Sequence, residues 1–242
     1  MEGGPVKTRP LRPLEAVRPF GMMLGGPIAL AVSAAASIAA VVRAALSLRR
    51  PPTLALLGTA ATGLYALVIR PWHLRWGAEL EDDKREVPGG DLLPNEATPI
   101  LHAVTIDAPV EDVWPWLAQL GQDRAGFYSY EWLENLAGCE MKNADRIHPD
   151  WQQRELGETV HLHPAGGLKV TVFEPGRALG LEGWGTFFLE PLGAAQTRVI
   201  ARGSVPSGVG AAAYGMLMEI PHFLMERRML LGIKERAESS RA

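Results

Sequence analysis

At 242 residues the chain is long enough for one ordinary domain plus further segments, and a core of that size needs no disulfide or metal staple. Its 24 Lys and Arg against 27 Asp and Glu leave a net charge of −3, which excludes the basic field that gathers nucleic acid. The single Cys139 can form no intramolecular bridge, in keeping with a reducing compartment.

A basic tail over residues 1–19 leads into two uncharged runs, the 23 residues Phe20 to Val42 and the 19 residues Pro51 to Ile69. Either run is long enough, at about 1.5 Å per helical residue, to be read as a membrane span. The short link with Arg43, Arg49 and Arg50 then demands an antiparallel hairpin, and residues 20–70 are assigned to two transmembrane helices. "RPWHLRW" follows, with Arg70, Trp72, Arg75 and Trp76 of the types favoured at a bilayer surface. Six basic residues in the outer flanks against three in the loop predict that both termini, and the soluble domain with them, lie on the cytoplasmic side. Residues 71–97 read as this interfacial segment and then an exposed linker, "ELEDDKREVPGGDLLPN".

The soluble domain spans residues 98–242. In "PILHAVTIDAP" the apolar side chains Ile100, Val104 and Ile106 share one face of a strand, and Pro109 fits the first turn of a helix. That helix carries Val110, Val113, Trp114, Leu117 and Leu120 at i, i+3, i+4 and i+7, with Glu111 and Asp112 favoured by the dipole at its start. Pro115 predicts a kink or a late start.

A short helix is expected from Tyr130 to Ala137, capped by Ser129 and closed by Gly138, with Tyr130, Leu133, Leu136 and Ala137 facing inward. Tyr128, Trp132 and Asn135 on its flank are candidate ligand contacts. "NADRIHPDW" supplies either a polar cavity entrance or a loop held by Asx turns.

Five short strands follow, "GETVHLHP", "GLKVTVFE", "RALGLEGW", "GTFFLEPL" and "TRVIARGSV", separated by turns short enough for an antiparallel meander. Leu168, Val170 and Val172 alternate onto one face. His161 and His163 share the strand face opposite Val160 and Leu162, but spacing marks no third ligand, so no metal site is assigned.

From Ser207 onward the composition is helical, with a kink expected at Pro221. Glu219 interrupts the apolar run that would otherwise suggest a third span. On this helix Tyr214, Met218 and Met225 are candidate cavity residues, methionine suiting either an adaptable pocket or ordinary packing. Glu219 is the one candidate acid or base if buried, and an ordinary solvated carboxylate otherwise. No nucleophile-elbow, P-loop, dinucleotide-binding or zinc-protease pattern is present, so the sequence implies no cofactor and assigns no reaction.

The phrase "HAVTIDAPVEDVWPWLAQL" and the order strand, helix, short helix, antiparallel strands, long helix resemble the START-like (SRPBCC) superfamily over roughly Thr98 to Glu238. That superfamily includes polyketide cyclases, lipid-transfer domains and plant pollen-allergen proteins. The resemblance implies a helix-grip α+β fold, an antiparallel sheet around the C-terminal helix, with a cavity for a hydrophobic small molecule or lipid. It also implies about seven strands, which leaves one to be found within Met141 to Leu156. Three roles remain open: a membrane-anchored ligand binder, a cyclase- or aromatase-like enzyme, and an interaction module of a membrane complex whose protein partners the sequence does not name.

Overall fold

The computed structural model of the protein describes residues 53–88, 98–205, 214–215 and 217–239. Six strands, β1 (Thr98–Ile106), β2 (Thr159–His163), β3 (Gly166–Glu174), β4 (Ala178–Leu181), β5 (Gly185–Pro191) and β6 (Thr197–Val205), form one sheet in the order β1-β6-β5-β4-β3-β2. Every neighbouring pair is antiparallel. Strands β2 to β6 are the five expected from the turn-bounded runs, and β1 returns to pair with β6 along its whole length, Thr98 opposite Val205 and Ile106 opposite Thr197. Met141 to Leu156 holds no strand; its regular structure is a 3-10 turn at Pro149–Trp151.

Between β1 and β2 lie α3 (Val110–Ala118) and α4 (Glu131–Leu136). Helix α3 starts where expected and contains Pro115 without interruption. Helix α4 departs from expectation in two ways. Ser129 does not cap it; the hydroxyl donates to the Met225 carbonyl instead, at 3.1 Å. Leu136, expected to face inward, is exposed, because a six-residue helix on the surface offers too little length to bury a full stripe. Gly138 closes the helix with φ +82, the left-handed conformation that glycine adopts without penalty.

The long helix α5 (Glu219–Ser239) packs Met229, Leu230, Ile233 and Ala237 against the inner face of the sheet, where Leu179, Phe187 and Val199 are also buried. Pro221 sits in the first turn of α5, and the helical backbone described at Tyr214, Gly215 and Leu217 is interrupted at Met218 just before it. Gly232 lies where a Cβ would come within 2.4 Å of the Tyr128 carbonyl oxygen, which lets α5 approach the loop before α4. The shared face expected for Val170 and Val172 is broken by a register shift between them: Val170 joins the inner core and Val172 the outer.

The outer face is not bare. Leu101, Ala103, Phe188 and Ile200 are covered by Val87, and the segment read as an exposed linker is pinned there by Asp82, itself 1% exposed. Asp82 accepts from Arg198 Nη2 at 2.5 Å and from the Glu79 N–H at 2.8 Å.

N-terminal to this segment, the helical backbone from Thr53 to Leu74 is divided into α1 (Thr53–Leu64), a π turn (Tyr65–Ile69) and α2 (Arg70–Leu74). Among the described residues no helix is long and apolar enough to cross a membrane. The first expected span, Phe20 to Val42, lies outside the described residues. Leu57, Leu64, Leu67, Val68 and Trp72 are exposed on this helical stretch.

Replacing Gly232 by Ala drives a methyl group into the Tyr128 backbone and is expected to destabilise the fold by about 1–3 kcal/mol. Denaturant unfolding at equilibrium measures the loss, and an unchanged midpoint would mean that the helix-to-loop approach has slack.

Candidate functional site

Two carboxylates seven residues apart on α5, Glu219 and Glu226, point into the fold, and both are 3% exposed. Burial of a carboxylate is unfavourable unless opposite charge and hydrogen bonds replace its water. Each carboxylate here has gathered a full set of donors from distant parts of the chain.

Glu219 takes a two-pronged contact from Arg70, Nε to Oε1 at 3.0 Å and Nη2 to Oε2 at 2.9 Å. The Tyr65 hydroxyl donates to Oε1 at 3.1 Å, and His73 Nε2 lies 3.2 Å from the same oxygen. Tyr65 and Arg70 are five residues apart, a spacing that a regular α-helix points in divergent directions. The π turn, closed by the Arg70 N–H on the Tyr65 carbonyl, brings both onto one side. Burial pushes the Glu219 pKa up, but the Arg70 guanidinium and the Tyr65 hydroxyl hold it below the ordinary carboxylate value. Glu219 is therefore neither of the alternatives the sequence left open: it is buried, yet ionised by its partners and unsuited to act as an acid near neutral pH.

Glu226 accepts from His102 Nδ1 at 2.7 Å, Trp184 Nε1 at 2.6 Å and His222 Nε2 at 3.0 Å. The other nitrogen of His102 lies 2.8 Å from the His73 carbonyl. Both ring nitrogens of His102 thus face acceptors, one of them a carboxylate, which favours a proton on each. Burial works against that charge, but the Glu226 carboxylate outweighs it and raises the His102 pKa. The same ion pair holds Glu226 well below its ordinary value despite complete burial. His73 goes the other way: burial lowers it, and the charge on His102 adds to the effect.

His222 completes the chain. Its Nε2 donates to Glu226, so Nδ1 is left as an acceptor, and there the Tyr214 hydroxyl donates. Burial raises the Tyr214 pKa, as do the nearby carboxylates, so the hydroxyl keeps its proton. Tyr214, His222 and Glu226 form a hydrogen-bonded relay in which the carboxylate fixes the imidazole tautomer. Trp184 stands edge-on to the His222 ring, 5.6 Å between centroids, and meets Phe127 and Phe187 on its other sides.

A pocket opens beside this relay, lined by Ile100, Trp184, Phe187, Arg202, His222 and Glu226 among others. Its cavity volume is about 10 Å³, space for about one water molecule. Among the described residues no group of three or more His, Cys, Asp or Glu is arranged to hold a metal ion.

Of the residues singled out from the sequence, Tyr214 and Glu219 belong to these networks. Tyr128, expected to face a ligand, is a core residue, 1% exposed, donating to the Trp116 carbonyl at 3.1 Å and accepting from Gln119 at 2.8 Å. Trp132, 69% exposed, lies on the surface of α4. Asn135 clamps both the N–H and the carbonyl of Met141. His161 pairs with Asp123 at 3.2 Å, and His163 Nδ1 accepts the Ala165 N–H at 3.0 Å. Met218 is exposed, and the Met225 sulfur lies against the Ser129 hydroxyl. In the "NADRIHPDW" loop Asn143 accepts the Tyr128 N–H at 2.7 Å and His148 stacks on Trp151, the arrangement of a braced loop.

His102, His222, Glu226, Trp184 and Arg70 were not anticipated in these roles. Two signals for them lie in the sequence. His102 occupies the apolar face of β1 between Ile100 and Val104, and Glu219, His222 and Glu226 recur at i, i+3 and i+7 on one helix face.

No protein family model matches the chain, and no curated protein matches it in sequence. Among solved structures, it is similar to a polyketide cyclase-like protein of Corynebacterium glutamicum determined by solution NMR. The two are 17% identical, the match covers 61% of this chain and 95% of that one, and the TM-score is 0.33. The six-stranded antiparallel sheet with its C-terminal helix is the helix-grip α+β arrangement on the chain's own topology.

His102 gives the network a pH signature. Because its folded pKa is raised, its pairing stabilises the fold fully below the unfolded histidine value and is lost as pH rises through the folded value. His102→Gln is expected to cost about 3–5 kcal/mol at pH 6 by leaving Glu226 without its buried counter-charge. The difference between wild type and variant shrinks as the pH climbs past neutrality, which urea unfolding between pH 6 and 9 measures.

Proposed function

We propose that the protein is a START-like ligand-binding module held at a membrane by its N-terminal apolar segments, with the domain on the cytoplasmic side. The observation that carries the ligand site is the pocket where the aromatic wall of Trp184 and Phe187 meets the polar edge of His222 and Glu226. This combination of apolar wall and few fixed polar groups is the usual make-up of a small-molecule site. Its size restricts what enters to a single polar atom, such as a hydroxyl or carbonyl oxygen, with the hydrophobic remainder of the ligand lying outside over Trp184. The membrane tether is supported by the two long uncharged runs and by exposed Leu57, Leu64, Leu67 and Val68 on the helical stretch that ends the second run.

The Tyr214–His222–Glu226 relay favours a second reading, acid–base chemistry on a bound carbonyl of polyketide type. A carboxylate that orients an imidazole toward a hydroxyl is an arrangement suited to moving a proton. In that case His222→Gln removes turnover and weakens binding less than loss of the Trp184 wall does.

Native mass spectrometry of the full chain released from detergent micelles tests the first reading. A co-purified hydrophobic small molecule is expected, and its occupancy should fall at least tenfold, the equivalent of about 1.4 kcal/mol, in Trp184→Ala. A chain that emerges empty from native membranes, or equal occupancy in the variant, would sink the pocket as the binding site.

A further inference from the structure

We infer that the pocket end of the sheet is the end that faces the lipid bilayer. The inference rests on the membrane tether proposed above and adds the orientation of the domain upon it. Helix α2 runs beside the start of α5 in the same direction, since Arg70 meets Glu219, Trp72 meets Phe223 and the Arg227 guanidinium lies over Trp76. Followed backward from Arg70, the π turn and α1 therefore extend past Glu219, the first residue of α5, and out of the domain at that end.

The pocket lies at the same end. Its walls come from the start of β1 at Ile100, the end of β6 at Arg202 and Gly203, the turn between β4 and β5 at Trp184, and His222 in the first turn of α5. The opposite end is marked by Asp107, which accepts from Gln196 and whose N–H donates to Glu238 near the end of α5. With 21 residues, α5 separates the two ends by roughly 30 Å.

The occupant assigned to the pocket end is a lipid bilayer, for three reasons. The apolar side chains Leu64, Leu67 and Val68 are exposed just beyond it, and Trp72 and Leu224 are exposed beside it. The 52 residues that precede Thr53 join α1 on this side and contain the 23-residue uncharged run. Finally, the buried contacts of Glu219 with Arg70, Tyr65 and His73 fix the angle between the emerging helix and the domain, so a tether in lipid dictates which end is lowered onto it.

Nitroxide labels on the full chain in phosphatidylcholine–phosphatidylglycerol vesicles test the orientation, in a Cys139→Ser background. Single cysteines are placed at Leu57 on α1, at Glu182 in the turn beside the pocket and at Leu192 in the β5–β6 turn at the far end. Relative accessibility to oxygen and to a water-soluble nickel complex reports depth. The expected order is Leu57 deepest, then Glu182, with an oxygen-to-nickel ratio several-fold above that at Leu192. If Leu57 lies in lipid while Glu182 is as aqueous as Leu192, or Leu192 is the deeper of the two, the orientation is overturned and the tether survives. If Leu57 is aqueous too, the tether reading fails and the orientation falls with it.

Discussion

Two buried carboxylates on one face of α5 determine how the other elements meet. An ionised carboxylate removed from water loses several kcal/mol of hydration, and it stays charged only where fixed donors replace that water. Glu219 and Glu226 recruit those donors from the helical stretch before the sheet, from the first strand and from the β4–β5 turn, 146, 124 and 42 residues away along the chain. Hydrophobic burial alone would let these elements slide over one another. Directional hydrogen bonds to a carboxylate do not, and they fix the register between α2, β1 and α5.

The two clusters are joined through one backbone group. The His73 carbonyl accepts from His102, while the His73 ring reaches Glu219. A displacement of α2 would break the Arg70 contact and at the same time remove one of the two acceptors that face His102. The N-terminal helical stretch also meets the pocket wall directly, through Leu74 packed with Ile100. His73 and His102 shift in opposite directions, because burial prevails at His73 whereas the Glu226 carboxylate outweighs burial at His102.

Much of the fold was legible because its signals are local. Alternation or bounding turn residues marked all six strands, Pro109 with Glu111 and Asp112 marked the start of α3, and Gly138 marked the close of α4. What failed was decided at longer range. The face of Val172 depends on a register shift that no pattern within β3 announces. The burial of Asp82 in a charged, Pro- and Gly-containing segment depends on Arg198 from β6. The site was less legible than the fold for the same reason. Nothing around Glu219 discloses Arg70, and the π turn that lets Tyr65 and Arg70 converge has no sequence mark of its own. Tyr128 and Trp132, four residues apart in an aromatic cluster, were assigned one task. The positive φ of 54° at Tyr128 turns its ring into the core beside Gly232, while Trp132 on α4 faces outward.

The size of the pocket beside His222 bears on what kind of ligand it can hold. Sites that enclose a drug-sized molecule have volumes of about 300–1,000 Å³, whereas the pocket beside His222 has about 10 Å³. The described part of the sheet's inner face is occupied by its own side chains, Phe187, Met229 and Ile233 among them. Enclosure therefore cannot supply the affinity for an occupant of this pocket. What remains is the exchange of one water for one polar atom, worth little in net free energy, and contact with Trp184. The affinity of such a site must come chiefly from the apolar contact that the rest of the ligand makes outside it, over Trp184.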